Sequence, residues 1–114
     1  MPAYNEEKTI SKALQNLKRE GYNSIIVIDD GSKDNTYKIA KKENVKVYRH
    51  IINRGLGGAL NTGITAALRD KADIIVTFDA DLQHNPKDIK KVIAPVLNKE
   101  CDVAIGNRIS KGMP

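Results

Sequence analysis

Two acidic clusters in this chain each follow an apolar, β-branched run. Ser24 to Asp29 (SIIVID) leads into Asp29-Asp30-Gly31-Ser32, and Asp73 to Phe78 (DIIVTF) leads into Asp79-Ala80-Asp81-Leu82-Gln83-His84. Carboxylates gathered at one edge of a sheet repel one another unless a cation or a hydrogen-bonding ligand joins them. Asp79 and Asp81 stand at alternate positions with Gln83 two further on, and they offer the hard oxygen ligands that Mg²⁺ or Mn²⁺ takes, with positions left for phosphate oxygens. Taken singly, Asp-Gly-Ser reads as a turn with a helix cap and Asp-x-Asp as a solvated loop; their shared place at strand ends favours chemistry. A third polar element, Asn53-Arg54-Gly55-Leu56-Gly57-Gly58-Ala59, is a glycine loop opening a helix whose free N–H groups and dipole suit an anion. It departs from the dinucleotide fingerprint, because the third glycine would fall at Leu60, and the chain has no Gly-Lys-Ser/Thr, so the P-loop is excluded too.

The elements that must position these groups follow a βαβ pattern, short β-branched runs alternating with amphipathic stretches. The pattern predicts strands over Ser24–Asp29, Val45–Arg49, Asp73–Phe78 and Asp102–Ile105. It predicts helices over Asp34–Glu43, over Leu56–Arg69 with Leu56, Leu60, Ile64 and Leu68 on one face, and over Pro86–Lys99, capped by Asn85 and interrupted by Pro95. Gly63 reads as a place of close packing against a strand. At the start, Asn5 reads as the cap of a helix Glu6–Arg19 with Ile10, Ala13, Leu14 and Leu17 inward. Only Met1 to Tyr4 precede it, a poor strand containing Pro2. In a doubly wound sheet of order 3-2-1-4 the first strand is central, so its loss leaves two edges unpaired unless residues upstream, closure of the sheet or another chain fills the place.

The chain has 114 residues, 40% hydrophobic and 29% charged, with 19 Lys+Arg against 14 Asp+Glu for a net charge of +5. That is one soluble domain or a piece of one. The apolar runs fall far short of the roughly 20 residues of a membrane-spanning helix, the first residues lack a signal-peptide pattern, and Cys101 alone makes no internal disulfide, so a cytoplasmic address is expected. The basic residues form no block and the chain has only 4 Tyr and 1 Phe for base stacking, which argues against nucleic acid and leaves a basic surface suited to phosphates or anionic lipids. An exposed sheet edge would favour a homo-oligomer.

Five motifs, in order and spacing, resemble family 2 glycosyltransferases of the GT-A fold. They are Pro2-Ala3-Tyr4-Asn5-Glu6-Glu7, Val27-Ile28-Asp29-Asp30-Gly31-Ser32-x-Asp34-x-Thr36, Asn53-Arg54-Gly55-x-Gly57-x-Ala59, Asp79-Ala80-Asp81-Leu82-Gln83-His84 and Gly106-Asn107-Arg108. The likeness covers nearly the whole chain and is greatest to the polyprenyl-phosphate sugar synthases, such as dolichyl-phosphate mannosyltransferases. It implies an α/β fold, a GT-A, Rossmann-like and mostly parallel sheet flanked by helices, truncated so that the first strand is largely missing and the C-terminal acceptor part absent. Residues 1–114 would be its nucleotide-sugar (donor) binding part.

The resemblance further implies that Pro2, Ala3, Tyr4 and Glu6 line the base and ribose of a UDP- or GDP-hexose, that Asp30 hydrogen-bonds the base with Asp29 beside it, and that Asp79 reaches ribose or metal. Asp81 and Gln83 would be metal ligands and Arg108 a cation near the phosphates. His84, Arg54 and His50 have weaker claims; His50 and Arg54 fit simple loop positions, and His84 a cap of the following helix. The implied reaction is inverting hexosyl transfer. A polyprenyl phosphate acceptor, met at the cytoplasmic face of a membrane, could attack without a general base, and any base would lie beyond Pro114. A binding or assembly module without activity of its own is the alternative. A phosphoacceptor receiver domain, suggested by Asp29, Asp30 and Asp79 at strand ends, lacks its usual lysine after the strand Asp102–Ile105.

Overall fold

The computed structural model describes residues 1–99; the expectations for Cys101, the strand Asp102–Ile105 and Arg108 lie outside them. The elements are β1 (Pro2–Ala3), α1 (Ile10–Arg19), β2 (Ile26–Asp29), α2 (Thr36–Lys42), β3 (Lys46–Arg49), α3 (Gly55–Arg69) and, after a 3₁₀ turn at Pro86–Asp88, α4 (Ile89–Leu97). β2 lies between β1 and β3, parallel to both, so the described part of the sheet has the 3-2-1 order the βαβ pattern predicts.

β2 alternates as a strand buried on both faces must. Val27 joins Ala3, Ile10, Leu14, Ala40 and Ala80 in one core cluster, while Ile28 turns to the other side and meets Gly63 of α3. Ile10, Leu14, Val27 and Ile28 are almost fully buried. Each such side chain contributes roughly 1.5–3 kcal/mol of transfer free energy. A second cluster of Leu17, Phe78 and Ile89 docks the end of α1 against α4. The cap Asn85 behaves as expected, its side chain accepting from Lys87 N–H at 3.0 Å.

Four expectations are corrected. Met1 to Tyr4 do contribute a strand: Ile28 N–H donates to Met1 O (2.9 Å) and Asp30 N–H to Ala3 O (2.8 Å). Residues 1 and 3 thus face β2, so Pro2, which has no N–H, faces the open edge and leaves no donor stranded there. Second, Asp73–Phe78 bends at Asp73 and Ile74 and joins no ladder, because β1 is too short to offer it an edge; a gap of about 1140 Å³, lined by Met1, Ile26, Ile64 and Ile75 among others, separates it from β2. Burial pushes the Met1 amine, which lines this gap and donates to Ile26 O at 2.8 Å, down to about 6 against the pull of the Asp79 carboxylate.

Third, α1 starts at Ile10 and not at Glu6. Asn5 sits at φ 53°, the left-handed region that Asn tolerates, and its side chain accepts from Lys33 N–H, so it joins two loops instead of capping the helix. Fourth, α3 buries Ala59 and Ala66 with Gly63 against the sheet, while Leu56 and Leu68 are more than half exposed. A Cβ built on Gly63 would lie 3.3 Å from Ile28 Cγ1, so the small-residue face is the one that lets the helix axis come this close.

Gly63→Ala should therefore be near neutral in urea unfolding, the roughly 1 kcal/mol of helix propensity it gains offsetting a contact that Ile28 relieves by a small shift. Gly63→Leu should destabilise by about 1–3 kcal/mol, as overpacked cores do. Equal stability of the Leu variant and the parent chain would contradict this packing.

Candidate functional site

Two zipped loops build the carboxyl edge of the sheet. The segment after β1 and the segment after β2 exchange hydrogen bonds between the backbone of one and the side chains of the other. Asn5 N–H donates to Ser32 Oγ (2.8 Å), Glu6 N–H to Thr36 Oγ1 (2.9 Å) and Glu7 N–H to Asp34 Oδ2 (3.3 Å). In return Lys33 N–H donates to Asn5 Oδ1 (2.9 Å) and Asn35 N–H to Glu7 Oε2 (3.0 Å). Asp34 also accepts from Thr36, backbone and hydroxyl, and these bonds outweigh its burial and hold its carboxyl below the usual range. The segment Asp79–Asp81 is tied in by Thr9, whose hydroxyl donates to Ala80 O at 2.7 Å.

A cleft of about 320 Å³ opens where these segments meet, within the size range of small-molecule sites. Pro2, Ala3, Tyr4, Glu6, Asp30, Asp79 and Asp81 all line it, and the glycine loop supplies Asn53, Gly55 and Leu56. The structure thus gathers seven of the residues marked from the sequence. Asp29 and Gln83 are not among the lining residues, and Arg108 lies outside the described residues.

Asp29 has a different place. It is fully buried, its Oδ1 accepts from Ser32 N–H (3.1 Å), and its Oδ2 has no hydrogen bond among the described residues but lies 3.5 Å from Arg49 Nε. Arg49 is its register partner on β3 and stacks over the Tyr37 ring at 4.8 Å. The ion pair lies on the face of β2 that carries Val27 and α2 and is not part of the cleft lining.

Asp30 is the hub. Its Oδ1 accepts from Arg54 N–H (2.8 Å) and lies 2.8 Å from His50 Nδ1. Burial alone would raise its pKa, but the hydrogen bond from His50 and those from the Arg54 and Gly55 backbone prevail and hold it below the ordinary carboxylate value. It is an anionic acceptor at neutral pH. His50, only 7% exposed, was missed as a site residue from the sequence; a histidine in a loop between two apolar segments carries no local signal.

Gly31 makes this loop arrangement possible. It sits at φ 75°, and a Cβ there would come within 2.7 Å of Asn53 N and 2.8 Å of Ile52 C, so only glycine lets residues 52–54 cross over it and bring Arg54 N–H to Asp30.

Asp79 and Asp81 face the cleft from the third segment. Asp81 Oδ1 accepts from Gln83 N–H (3.0 Å); Asp79 is half exposed, with His84 Nε2 3.5 Å from its Oδ2 and His84 Nδ1 accepting from Asp79 N–H at 3.3 Å. His84 packs edge-on against Phe78 and accepts from Asp79 N–H, so it braces the Asp79 segment instead of serving as the helix cap expected of it. Among the described residues no three His, Cys, Asp or Glu side chains form a closed metal cage. Two neighbouring carboxylates on an open cleft fit a hard divalent ion that completes its shell with water and ligand oxygens.

Comparison with known proteins agrees with this architecture. The profile described as Glycosyl transferase family 2 matches residues 1–114. An uncharacterised protein of Methanocaldococcus jannaschii is 62% identical over 109 residues, covering 96% of this chain and 45% of its own. The UDP-N-acetylglucosamine–dolichyl-phosphate N-acetylglucosaminyltransferase of Methanococcus voltae is 46% identical over 136 residues, covering 100% of this chain and 54% of its own. Among solved structures, glucosyl-3-phosphoglycerate synthase from Mycobacterium tuberculosis, in complex with Mn²⁺, UDP and glucosyl-3-phosphoglycerate, superposes with a TM-score of 0.70 at 28% identity, over 84% of this chain and 37% of that one. The chain belongs to glycosyltransferase family 2 and has its GT-A fold. It spans about half the length of the two relatives.

Gly31→Ala should lower stability by at least about 2 kcal/mol, from the left-handed backbone and the backbone clash together, and should pull residues 52–54 away from Asp30. Urea unfolding measures the first effect, and loss of hydrogen-exchange protection at Arg54 N–H the second. A variant as stable as the parent would contradict the close crossing.

Proposed function

We propose that the chain forms the donor-binding part of a glycosyltransferase that moves a hexose from a UDP- or GDP-sugar, with Mg²⁺ or Mn²⁺ and inversion at the anomeric carbon, to a polyprenyl phosphate. The observation that carries this reading is the convergence of Asp30, Asp79 and Asp81 with Pro2, Ala3 and Tyr4 on one cleft.

Each residue has a task its chemistry fits. Asp30 accepts an N–H of the base, and Tyr4, partly exposed beside it, offers a ring face. Glu6 and Asp79 would accept from ribose hydroxyls. The cleft is anionic and so is a nucleoside diphosphate, which makes a cation between them an electrostatic requirement. Asp79 and Asp81 would hold it, with Gln83 nearby. Bound there, the ion would stabilise the negative charge on the departing nucleoside diphosphate. Arg108, by its position in the motif, would add a positive charge at the phosphates. Asp29 supports the site from behind, through Ser32 N–H.

The relative from Methanococcus voltae, named for transfer to dolichyl phosphate, supports the acceptor class. A phosphate acceptor is already ionised: its oxygen attacks the anomeric carbon in line as the bond to the donor phosphate breaks, and no proton has to be removed. The reaction would take place at the cytoplasmic face of a membrane, to which a net charge of +5 draws the chain through anionic headgroups. Among the described residues no helix is long and apolar enough to cross that membrane.

Calorimetric titration with UDP- and GDP-hexoses should show binding of one nucleotide class with Mn²⁺ present, weakened at least about tenfold by EDTA or by Asp81→Ala. The melting temperature of Asp81→Ala should stay within a few degrees of the parent, since the side chain is only partly buried. Unchanged donor affinity in a folded Asp81→Ala chain would overturn the metal assignment, and absence of binding by the parent chain would overturn the donor site.

A further inference from the structure

His50 is occupied on every side. Its backbone N–H donates to Asp29 O at 2.9 Å, Nδ1 lies 2.8 Å from Asp30 Oδ1, and Nε2 lies 2.8 Å from Thr62 Oγ1 on α3. This linkage ties β3, β2 and α3 together directly beneath the cleft, and neither a loop position nor the proposed metal site explains it.

Proton counting limits the states of the ring. The ionised Asp30 has no hydrogen to give, so Nδ1 must carry one. Thr62 has a single hydroxyl hydrogen and two acceptors in reach, His50 Nε2 at 2.8 Å and Gly58 O at 3.1 Å. If the hydrogen goes to Nε2, the ring is neutral with Nδ1–H; if it goes to Gly58 O, Nε2 must donate and the ring is an imidazolium. Gly58 O, inside α3, is the acceptor of the helical bond from Thr62 N–H and needs no second partner. The shorter contact, to a nitrogen with no other donor in reach among the described residues, selects the first state.

We propose that His50 is a positioning residue for nucleobase recognition: its Nδ1–H, with Arg54 N–H, occupies Oδ1 of Asp30 and so fixes the orientation in which this carboxylate lines the cleft, while Thr62 locks the ring in that tautomer. The proposal rests on the donor reading above and deepens it. An acceptor held in one orientation with its charge intact selects bases whose pairing-edge ring nitrogen carries a hydrogen, as in uracil and guanine. It repels cytosine and adenine, whose pairing-edge ring nitrogen is itself an acceptor. Selectivity between these classes would then reside in a residue that never touches the ligand.

The test uses the 114-residue chain, whose only histidines are His50 and His84, so ring ¹⁵N spectra resolve both. The expected spectrum shows the His50 hydrogen on Nδ1 and Nε2 as an acceptor; a hydrogen on Nε2 overturns the proposal. Affinities for UDP, GDP and CDP with Mn²⁺ then separate positioning from mere filling of space. In His50→Asn the short amide can donate from the place of Nδ1, and binding of the preferred nucleotide should stay within about threefold of the parent. In His50→Gln the amide reaches the place of Nε2 and abandons Asp30, and binding should fall about tenfold or more, with discrimination against CDP reduced. Thermal melting establishes that both variants fold. If folded His50→Gln binds and discriminates as the parent does, or if folded His50→Asn is as impaired as His50→Gln, the proposal fails while the donor reading stands. If the parent chain binds none of the three nucleotides, the donor reading fails and this proposal with it.

Discussion

The carboxyl end of β2 is paired on both sides, and the site depends on that. Asp30 N–H reaches Ala3 O on one side and His50 N–H reaches Asp29 O on the other. Two hydrogen bonds at adjacent residues level the ends of β1, β2 and β3, and three loops then leave the sheet at the same height. Every group of the cleft is a short way along one of these loops or along the segment that Thr9 ties to them. Binding at the carboxyl ends of the strands is the general habit of open parallel sheets, and here it follows from a ladder only four residues long at its widest.

The polar residues around the cleft divide into those that bind one another and those left to bind something else. Asn5, Glu7, Ser32, Asp34 and Thr36 are consumed in the exchange between the two loops, and Asp29 in its bonds to Ser32 and Arg49. Asp30, Asp79 and Asp81 keep oxygens for the cleft they line. A chain of net charge +5 thus gathers Asp30, Asp79 and Asp81 at one opening, a charge arrangement that suits the proposed divalent ion and, through it, a diphosphate. The same local bonds explain the motif residues that do no chemistry: Asp34 and Ser32 are there because the backbone of a neighbouring loop needs acceptors.

Period and motif in the sequence carried the parallel order of β1, β2 and β3 and most of the cleft. The gathering of Pro2, Ala3, Tyr4, Glu6, Asp30, Asp79 and Asp81 was legible because each stands in a short segment whose spacing is distinctive. What escaped was decided by packing. The face of α3 follows from how closely Ile28 allows the helix to approach at Gly63, so Ala59 and Ala66 are buried in preference to the larger leucines that dominate the apolar pattern. Asp73–Phe78 has the composition of a strand, but a ladder also needs a partner, and β1 ends before it can supply one. The start of α1 was misplaced because Asn5 was weighed as a cap, whereas a residue 28 positions away in sequence claims its side chain. His50 and Thr62 meet across 12 residues with no motif to mark them.

The central claim is that one cleft, formed where these segments meet, holds a divalent ion and a nucleoside diphosphate together. Paramagnetic broadening by Mn²⁺ of the backbone resonances of the ¹⁵N-labelled chain, recorded before and after addition of UDP or GDP, tests it most directly. The account predicts broadening centred on Asp79 to Gln83, sharpened in concentration dependence by the nucleotide, with shift changes at Ala3, Tyr4 and Asp30 and little effect at Lys46 or Asp70. Broadening centred elsewhere, or a nucleotide response that leaves Asp30 and Asp79 to Gln83 unmoved, would contradict it.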